Sequence, residues 1–387
     1  MTTIDRGVMT PQMVLNAVRE LAPAITGRAA EIETARRLPP DLLAELKAAG
    51  CFRLLVPQSH GGLGATLMDG MDALETIARA DASVAWTVMI GAGSWCDLAS
   101  LPRPTFDALF AAGADVVVAG AFNPTGSIAA VDGGYLVNGR WGFASGCEHA
   151  DWLFGNCVEG VADGVPQLRV AVFSPDQVVI EDTWHVAGLS GTGSHHFRVE
   201  GLVVPAERTH RLLVDEPCID APIVRIPPPP LVALVISSVA IGTARGALEE
   251  VVALAGDKVP LLAGAPLASN PLFQHELASA DTRLRAARAL VHDEAGEVWA
   301  TASEGAALTL EQRAHVRATA AWATDQAASA VAMAYRFGGG TSLYADSPLQ
   351  RRLRDINAVT QHFLVKPDTL TTAGAILAGQ DVQLMVF

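Results

Sequence analysis

The period of the apolar residues changes twice along this chain, near Asp115 and again at Pro227, and these two switches limit the fold more than any other feature. Before Asp115 the apolar positions recur at helical spacing, as in Val14, Val18, Leu21 and Ile25. Helices are expected over residues 11–50, with one around Pro40 to Ala49 ending at Gly50, and then over Leu67–Ala80 and Ala82–Leu98, with Pro102 and Pro104 closing the block. After Asp115 come short β-type runs: Val116–Ala119, Gly134–Val137, Trp152–Phe154, Leu168–Phe173 and Phe197–Val199, punctuated by Gly-rich and Pro-containing turns. Pro227 to Pro230 reads as a stiff polyproline II connector. Helical spacing then returns over 231–256, 271–303, 310–336 and 346–364, with a shorter helix near 367–378. The expectation is an α+β chain of three parts: an N-terminal helical domain (1–114), a middle antiparallel β-domain (115–226) and a C-terminal four-helix bundle domain (227–387).

Composition narrows the function classes. A formal charge of −14 argues against nucleic acid, which needs clustered Lys and Arg. The most apolar stretch, Leu231 to Ile241, is too short to cross a bilayer, and Met1–Arg6 lacks the pattern of a secretory signal, so no membrane segment is expected. Five cysteines without metal-ligand spacing suit free thiols in a reducing cytoplasm. His195-His196 has no neighbouring carboxylate or Cys cluster in sequence, and no metal site is expected. Mean hydropathy of +0.29 is high for a monomer and points to burial between subunits.

Three strings carry the chemistry. Gly338-Gly339-Gly340-Thr341-Ser342-Leu343-Tyr344 makes a turn free of bulky side chains. A second helix follows it, presenting Arg351, Asp355 and His362 at spacings of four and seven, which by residue type alone is a helix-turn-helix with a solvated charged face. Gly133 to Gly146 reads as a strand, an Asn138-Gly139 hairpin turn and a second strand ending Phe143-Ala144-Ser145-Gly146. Ala121-Phe122-Asn123-Pro124-Thr125-Gly126 reads as a Pro-Gly turn, and Asp182 to Ser194 as a long loop containing Trp184.

In this order, and together with Pro57-Gln58, Gly61-Gly62 and Asp81-Ala82-Ser83-Val84-Ala85-Trp86, these strings resemble the flavin monooxygenases built on the acyl-CoA dehydrogenase fold. The resemblance covers nearly the whole chain. It implies an oxygenase component of a two-component system, a homotetramer, that takes reduced FAD or FMN from a separate flavin reductase. With O2 it would hydroxylate a small aromatic substrate (phenolic, indole or polycyclic) through a flavin C4a-hydroperoxide. It further implies flavin contacts at Phe122, Asn123, Phe143, Ser145, Trp184, Gly338 and Gly339, and a substrate pocket at Trp86, Ile90, Gly93, Ser94 and His362. Ser145 would steady flavin N5, and His362, with an ordinary pKa near ~6.5, would exchange a proton near neutrality.

Two departures stand out. Gly256-Asp257-Lys258-Val259-Pro260-Leu261 occupies the place of an Arg-Phe-Gly element that serves the dinucleotide in dehydrogenases of the fold, which puts tight FAD retention in doubt. Gly91-Ala92-Gly93-Ser94-Trp95 stands where related phenol hydroxylases often carry a His, which leaves room for a bulkier substrate. No Gly-x-Gly-x-x-Gly unit marks a built-in nicotinamide domain. The alternatives are an acyl-CoA dehydrogenase-type flavin dehydrogenase, with Glu249 or Glu250 as its base, and a non-catalytic flavin-binding protein.

Overall fold

A computed structural model describes residues 9–382, so Met1–Arg6 lies outside the described residues. The N-terminal helices are α1 (Pro11–Gly27), α2 (Ala29–Ala35), α3 (Pro40–Ala48), α4 (Leu67–Ala80), α5 (Ala82–Gly93) and α6 (Arg103–Leu109). Their starts follow capping chemistry. Thr10 caps α1 with Pro11 in its first turn, and Thr66 and Asp69 form a reciprocal capping box on α4. Asp81 ends α4 and caps α5 through a 3.1 Å bond from Val84 N. The long second helix expected to Leu98 stops at Gly93, and Ser94–Leu98 continues as a 3-10 turn. Glycine at 91 and 93 weakens the α-helical register there.

The sheet contains β1 (Val118–Val131), β2 (Gly134–Trp141), β3 (Trp152–Ala162), β4 (Val165–Phe173), β5 (Val179–Glu181), β6 (His196–Val204) and β7 (Thr209–Arg211). Their order is β5-β6-β2-β1-β3-β4-β7, and every pairing is antiparallel except β1 with β3. Trp141 anchors the sheet core, stacked on Phe197 at 5.0 Å. Two expectations need correction. The hairpin turn lies at Asp132-Gly133, where Gly133 has φ 86, whereas Asn138-Gly139 runs inside β2 and Asn138 Oδ1 accepts the Gly201 N–H at 2.7 Å. Ala121–Gly126 is not a turn. It is an irregularity within β1, where pairing to β3 lapses between Ala121 and Gly126 because Pro124 cannot donate to the ladder.

The chain then forms α7 (Pro222–Arg225), α8 (Pro228–Asp257), α9 (Pro271–Ser303), α10 (Leu310–Gly338), α11 (Pro348–Val359) and α12 (Asp368–Leu377). The proline run is not a connector. Pro227 caps α8, and Pro228, Pro229 and Pro230 form its first turn, where a missing N–H costs nothing because no carbonyl precedes it in the helix. α8 is longer than the apolar stretch read from sequence and is long and apolar enough to cross a bilayer, but 83% of its most apolar window is buried inside the protein. Its neighbours are α4, α9, α10 and α11, so it is the central helix of the bundle. The helix expected to run to 364 ends at Val359, which leaves His362 in the turn beyond it.

Candidate active site

One cavity of about 1160 Å³ lies between α5, the sheet and the end of α11. Trp86, Ile90, Gly93 and Ser94 line it from α5 and the turn that follows. Phe122 and Asn123 line it from the irregular part of β1, Phe143 and Ser145 from the segment after β2, Trp184 from the loop before β6, and His362 from beyond α11. Gly338 and Gly339 are not brought to this cavity. They stand at the end of α10, where Gly339 borders a separate surface cleft and Lys258 holds the Gly338 carbonyl and the Thr341 hydroxyl.

The segment after β2 is shaped for display. Phe143 sits at φ 63, a conformation that costs energy for a bulky residue, and the residue is 65% exposed. Trp184 meets it edge-on at 6.1 Å and is fixed by its indole N–H on the Leu189 carbonyl at 3.0 Å. Backbone bonds from Ala144 N to His195 O and from Gly146 N to Thr192 O lock the segment to the loop before β6.

Behind Phe143 runs a row of buried hydroxyls. Trp86 Nε1 donates to Ser145 Oγ at 3.1 Å, Ser145 Oγ lies 2.7 Å from Ser194 Oγ, and Ser194 Oγ lies 2.6 Å from Thr192 Oγ1. Thr192 Oγ1 reaches the Leu189 carbonyl at 2.8 Å. Ser194 and Thr192 were not singled out from sequence. The only signal was small polar residues alternating with glycine at 190–194, a pattern shared by ordinary loops.

His362 packs edge-on against Trp86 at 5.8 Å and stacks on Phe363 at 5.0 Å. Its Nδ1 accepts the Leu364 N–H at 3.3 Å, which places the ring proton on Nε2. Burial, with the nearby Arg317 charge, pulls its pKa down to about 4. The expectation of a histidine titrating near neutrality is thereby corrected: at pH 7 this ring is neutral.

The end of α11 ties the loop before β6 in place. Asp355, buried, accepts the Leu189 N–H at 2.7 Å, and Arg354 donates to the Ala187 carbonyl at 2.6 Å. Gly188 fits between them because a Cβ there would fall 2.1 Å from the Arg354 carbonyl oxygen. Asp355 also faces the buried Asp81. Desolvation raises both carboxyls, and the Asp81 charge adds to the rise at Asp355, to about 7, against the pull of Arg351 and Arg352 on Asp81 and of Arg354 on Asp355.

Other titratable groups serve structure. Glu249 pairs with Arg79 and Glu250 with Arg352, and neither lines the cavity, so neither stands where a dehydrogenase base is needed. His195, read from sequence as lacking carboxylate neighbours, lies 3.8 Å from both Glu148 and Asp182. Its Nδ1 accepts the Thr183 and Trp184 amides, so it shapes the loop. Asp72, Glu75 and His292 also converge, but the Arg288 guanidinium already bridges both carboxylates.

An exposed aromatic pair over a buried hydroxyl row suits a flat, amphipathic ring system, and a flavin fits these residues. The acyl-CoA dehydrogenase N-terminal domain model matches residues 10–100, and the C-terminal domain model matches 234–367. The chain is 32% identical to the indole-3-acetate monooxygenase of Pseudomonas putida, covering 95% of this chain and 93% of that protein. It is also 32% identical to the flavin-dependent monooxygenase oxygenase subunit HsaA of Rhodococcus jostii (strain RHA1), over 90% and 93%. The crystal structure of 3-HSA hydroxylase from Rhodococcus sp. RHA1 superposes with a TM-score of 0.89 at 28% identity, covering 97% of this chain and 99% of that one. The fold is that of the acyl-CoA dehydrogenases. Within it, this chain belongs to the flavin-dependent monooxygenases that act as oxygenase components on aromatic substrates.

Proposed function

We propose that this enzyme receives reduced FAD or FMN from a flavin reductase and hydroxylates an aromatic substrate held between Trp86, His362 and the Gly93-Ser94 turn. The observation that carries the assignment is the hydroxyl row from Trp86 to Thr192 behind the exposed face of Phe143. Phe122, Asn123, Phe143, Ser145 and Trp184 would hold the isoalloxazine, and Gly338 and Gly339 would meet a flavin only through another subunit. When bound, the reduced flavin activates dioxygen and supplies one oxygen atom to the aromatic ring.

The protein holds and orients protons. In one arrangement Ser145 donates to Ser194, Ser194 to Thr192, and Thr192 to the Leu189 carbonyl. In the other all three hydroxyls turn: Thr192 donates to Ser194, Ser194 to Ser145, and the Ser145 O–H points into the cavity as a donor. The Leu189 carbonyl tolerates this loss because Trp184 Nε1 still donates to it. Ser145 can therefore accept or donate as the ring beside it changes protonation, without a buried group left unpaired. Neutral His362 offers its Nε2 proton as a hydrogen-bond donor, not as a shuttle that titrates at pH 7. Burial between Trp86 and Phe363 keeps water from that contact.

A cytoplasmic homotetramer with domains at 1–114, 115–226 and 227–387 completes the reading. Exposed apolar residues on the helical domain, among them Leu272 (62%) and Leu290 (40%) of α9, support burial against other copies. Sedimentation as a stable monomer at micromolar concentration would contradict the assembly. The activity is tested by mixing the protein with chemically reduced flavin, ¹⁸O₂ and phenolic, indole and naphthol substrates. One ¹⁸O atom per product is expected, and no labelled product from any of them would overturn the assignment.

A further inference from the structure

The cavity continues well beyond the groups that face the flavin and substrate ring. Asp97 lies eleven residues past Trp86, a displacement of roughly 17 Å along the helix and turn. His210 lies on β7, four strands from β2 in the sheet order, or roughly 19 Å at the usual strand spacing. Both line the same cavity as Ser145 and His362. Two separate elements therefore set polar groups at its remote end.

Among the described residues, neither side chain has a well-formed side-chain partner. The Asp97 carboxyl makes no hydrogen bond or ion pair among the described residues, and its surroundings raise its pKa to about 7 through desolvation alone. His210 is 3% exposed, and among the described residues neither ring nitrogen has a well-formed hydrogen bond, although the Asp97 and Arg211 backbones lie close to the ring. The backbone of Asp97 neighbours the His210 ring, so the two belong to one locality. A buried polar group without a partner is costly, and one opening onto a ligand cavity is relieved when a ligand supplies the missing bond.

The cations near this end are already engaged: Arg211 is bonded to Asp215 at 2.7 Å, and Arg169 to Glu159 and Thr209. Asp215 and Glu216 line the cavity beside His210. Arg354, the one Arg or Lys lining it among the described residues, is taken up by Glu33, Gln350 and the Ala187 carbonyl. A carboxylate placed at the far end would find like charge and no free cation.

We propose that Asp97 and His210 form a second binding subsite that selects an elongated, uncharged aromatic substrate carrying a hydroxyl or N–H group at the end remote from the oxidised ring, and that rejects substrates with a carboxylate there. Asp97 accepts the donor, and His210 completes the pair. The inference takes its aromatic substrate class from the monooxygenase assignment above, yet the subsite can be tested by binding alone.

Three compounds with one reacting skeleton separate the possibilities: 6-(hydroxymethyl)-2-naphthol, 6-methyl-2-naphthol and 6-hydroxy-2-naphthoate. Isothermal titration at pH 8 should show the hydroxymethyl compound binding about tenfold more tightly than the methyl compound, and the naphthoate most weakly, on the scale of a buried hydrogen bond met or left unmet. In Asp97→Asn the preference for hydroxymethyl over methyl should fall at least threefold, and the naphthoate should gain. His210→Phe should likewise erode the preference, which keeps the test open if one variant folds poorly. Equal affinities for the three compounds, tighter binding of the naphthoate, no binding of any, or ratios unmoved in both folded variants would overturn the proposal. Since these measurements need neither flavin nor oxygen, a failure of turnover alone would count against the monooxygenase assignment and leave the subsite standing.

Discussion

Trp86 and Ser145 meet across two parts of the fold: the indole N–H of a buried helix donates to the hydroxyl that closes the segment after β2, at 3.1 Å. The same indole carries His362 edge-on at 5.8 Å. One side chain thus positions both the Ser145 hydroxyl and the His362 imidazole on the cavity wall.

Ser145→Ala removes the terminal hydroxyl of the row and leaves Trp86 Nε1 without its acceptor. Fold and flavin affinity should change little. Loss of a bond of about 0.5–1.5 kcal/mol at the barrier corresponds to a roughly two- to twelve-fold shift from hydroxylated product toward released hydrogen peroxide. Peroxide assayed per reduced flavin consumed gives the answer, and wild-type coupling would remove Ser145 from the mechanism.

For His362 the buried neutral ring sets the pH behaviour. Its pKa of about 4 lies below the ordinary 6.5, so the folded ring gains no proton between pH 6 and 9, and product formation should show no step near 6.5 from this group. Replacement by Asn should lower product yield by about 10²-fold, the scale for a positioned proton donor, while thermal stability is largely kept. A wild-type rate in the Asn variant would make His362 a packing residue.

Asp355 should show its strain in stability. Its folded pKa, about 7, is raised above the ordinary 3.8, so between those pH values the unfolded chain releases a proton that the folded chain retains. Stability therefore falls as pH rises through this window and the loss is complete above it. Asp355→Asn keeps an oxygen for Leu189 N–H and removes the repulsion with Asp81, so its melting temperature should exceed wild type by a few degrees at pH 8 and differ little at pH 4. A lower melting temperature than wild type at pH 8 would show that the ionised carboxylate stabilises the loop.

Arg352→Lys should be destabilising despite keeping the charge. The buried guanidinium donates to Glu250 and to the Ala78 and Arg79 carbonyls at once, which an ammonium cannot match in this planar geometry. A loss of about 2–3 kcal/mol in denaturant unfolding is expected, from bonds to charged or buried groups left unmade. An unchanged midpoint would show that the three contacts are individually dispensable.

The three-part order was legible because burial imposes different periods on helices and strands, and Val14, Val18 and Ile25 or the run Leu168–Phe173 carry those periods openly. Local chemistry was harder to read where context decided it. Pro228–Pro230 look like a spacer until a helix is seen to begin there, and Asn138-Gly139 looks like a turn until β6 pairs with it. The cavity residues on α5 and near Phe143 stood out as strings. Ser194, Asp97 and His210 did not, since each is a common residue whose meaning comes from neighbours distant in sequence. The pKa of His362 was equally hidden, being set by burial and Arg317, not by residue type.

The bond from Leu189 N–H to Asp355 joins residues 166 positions apart. The loop that carries Trp184, Thr192 and Ser194 emerges from the ribosome long before the helix that holds it. During synthesis the sheet can pair its strands and hold one side of this loop, but its Leu189 end lacks the Asp355 bond until α11 is made. Chains truncated before Pro348 should accordingly carry a formed sheet and a loop that is loose around Ala187 to Leu189, where Arg354 and Asp355 would otherwise hold it.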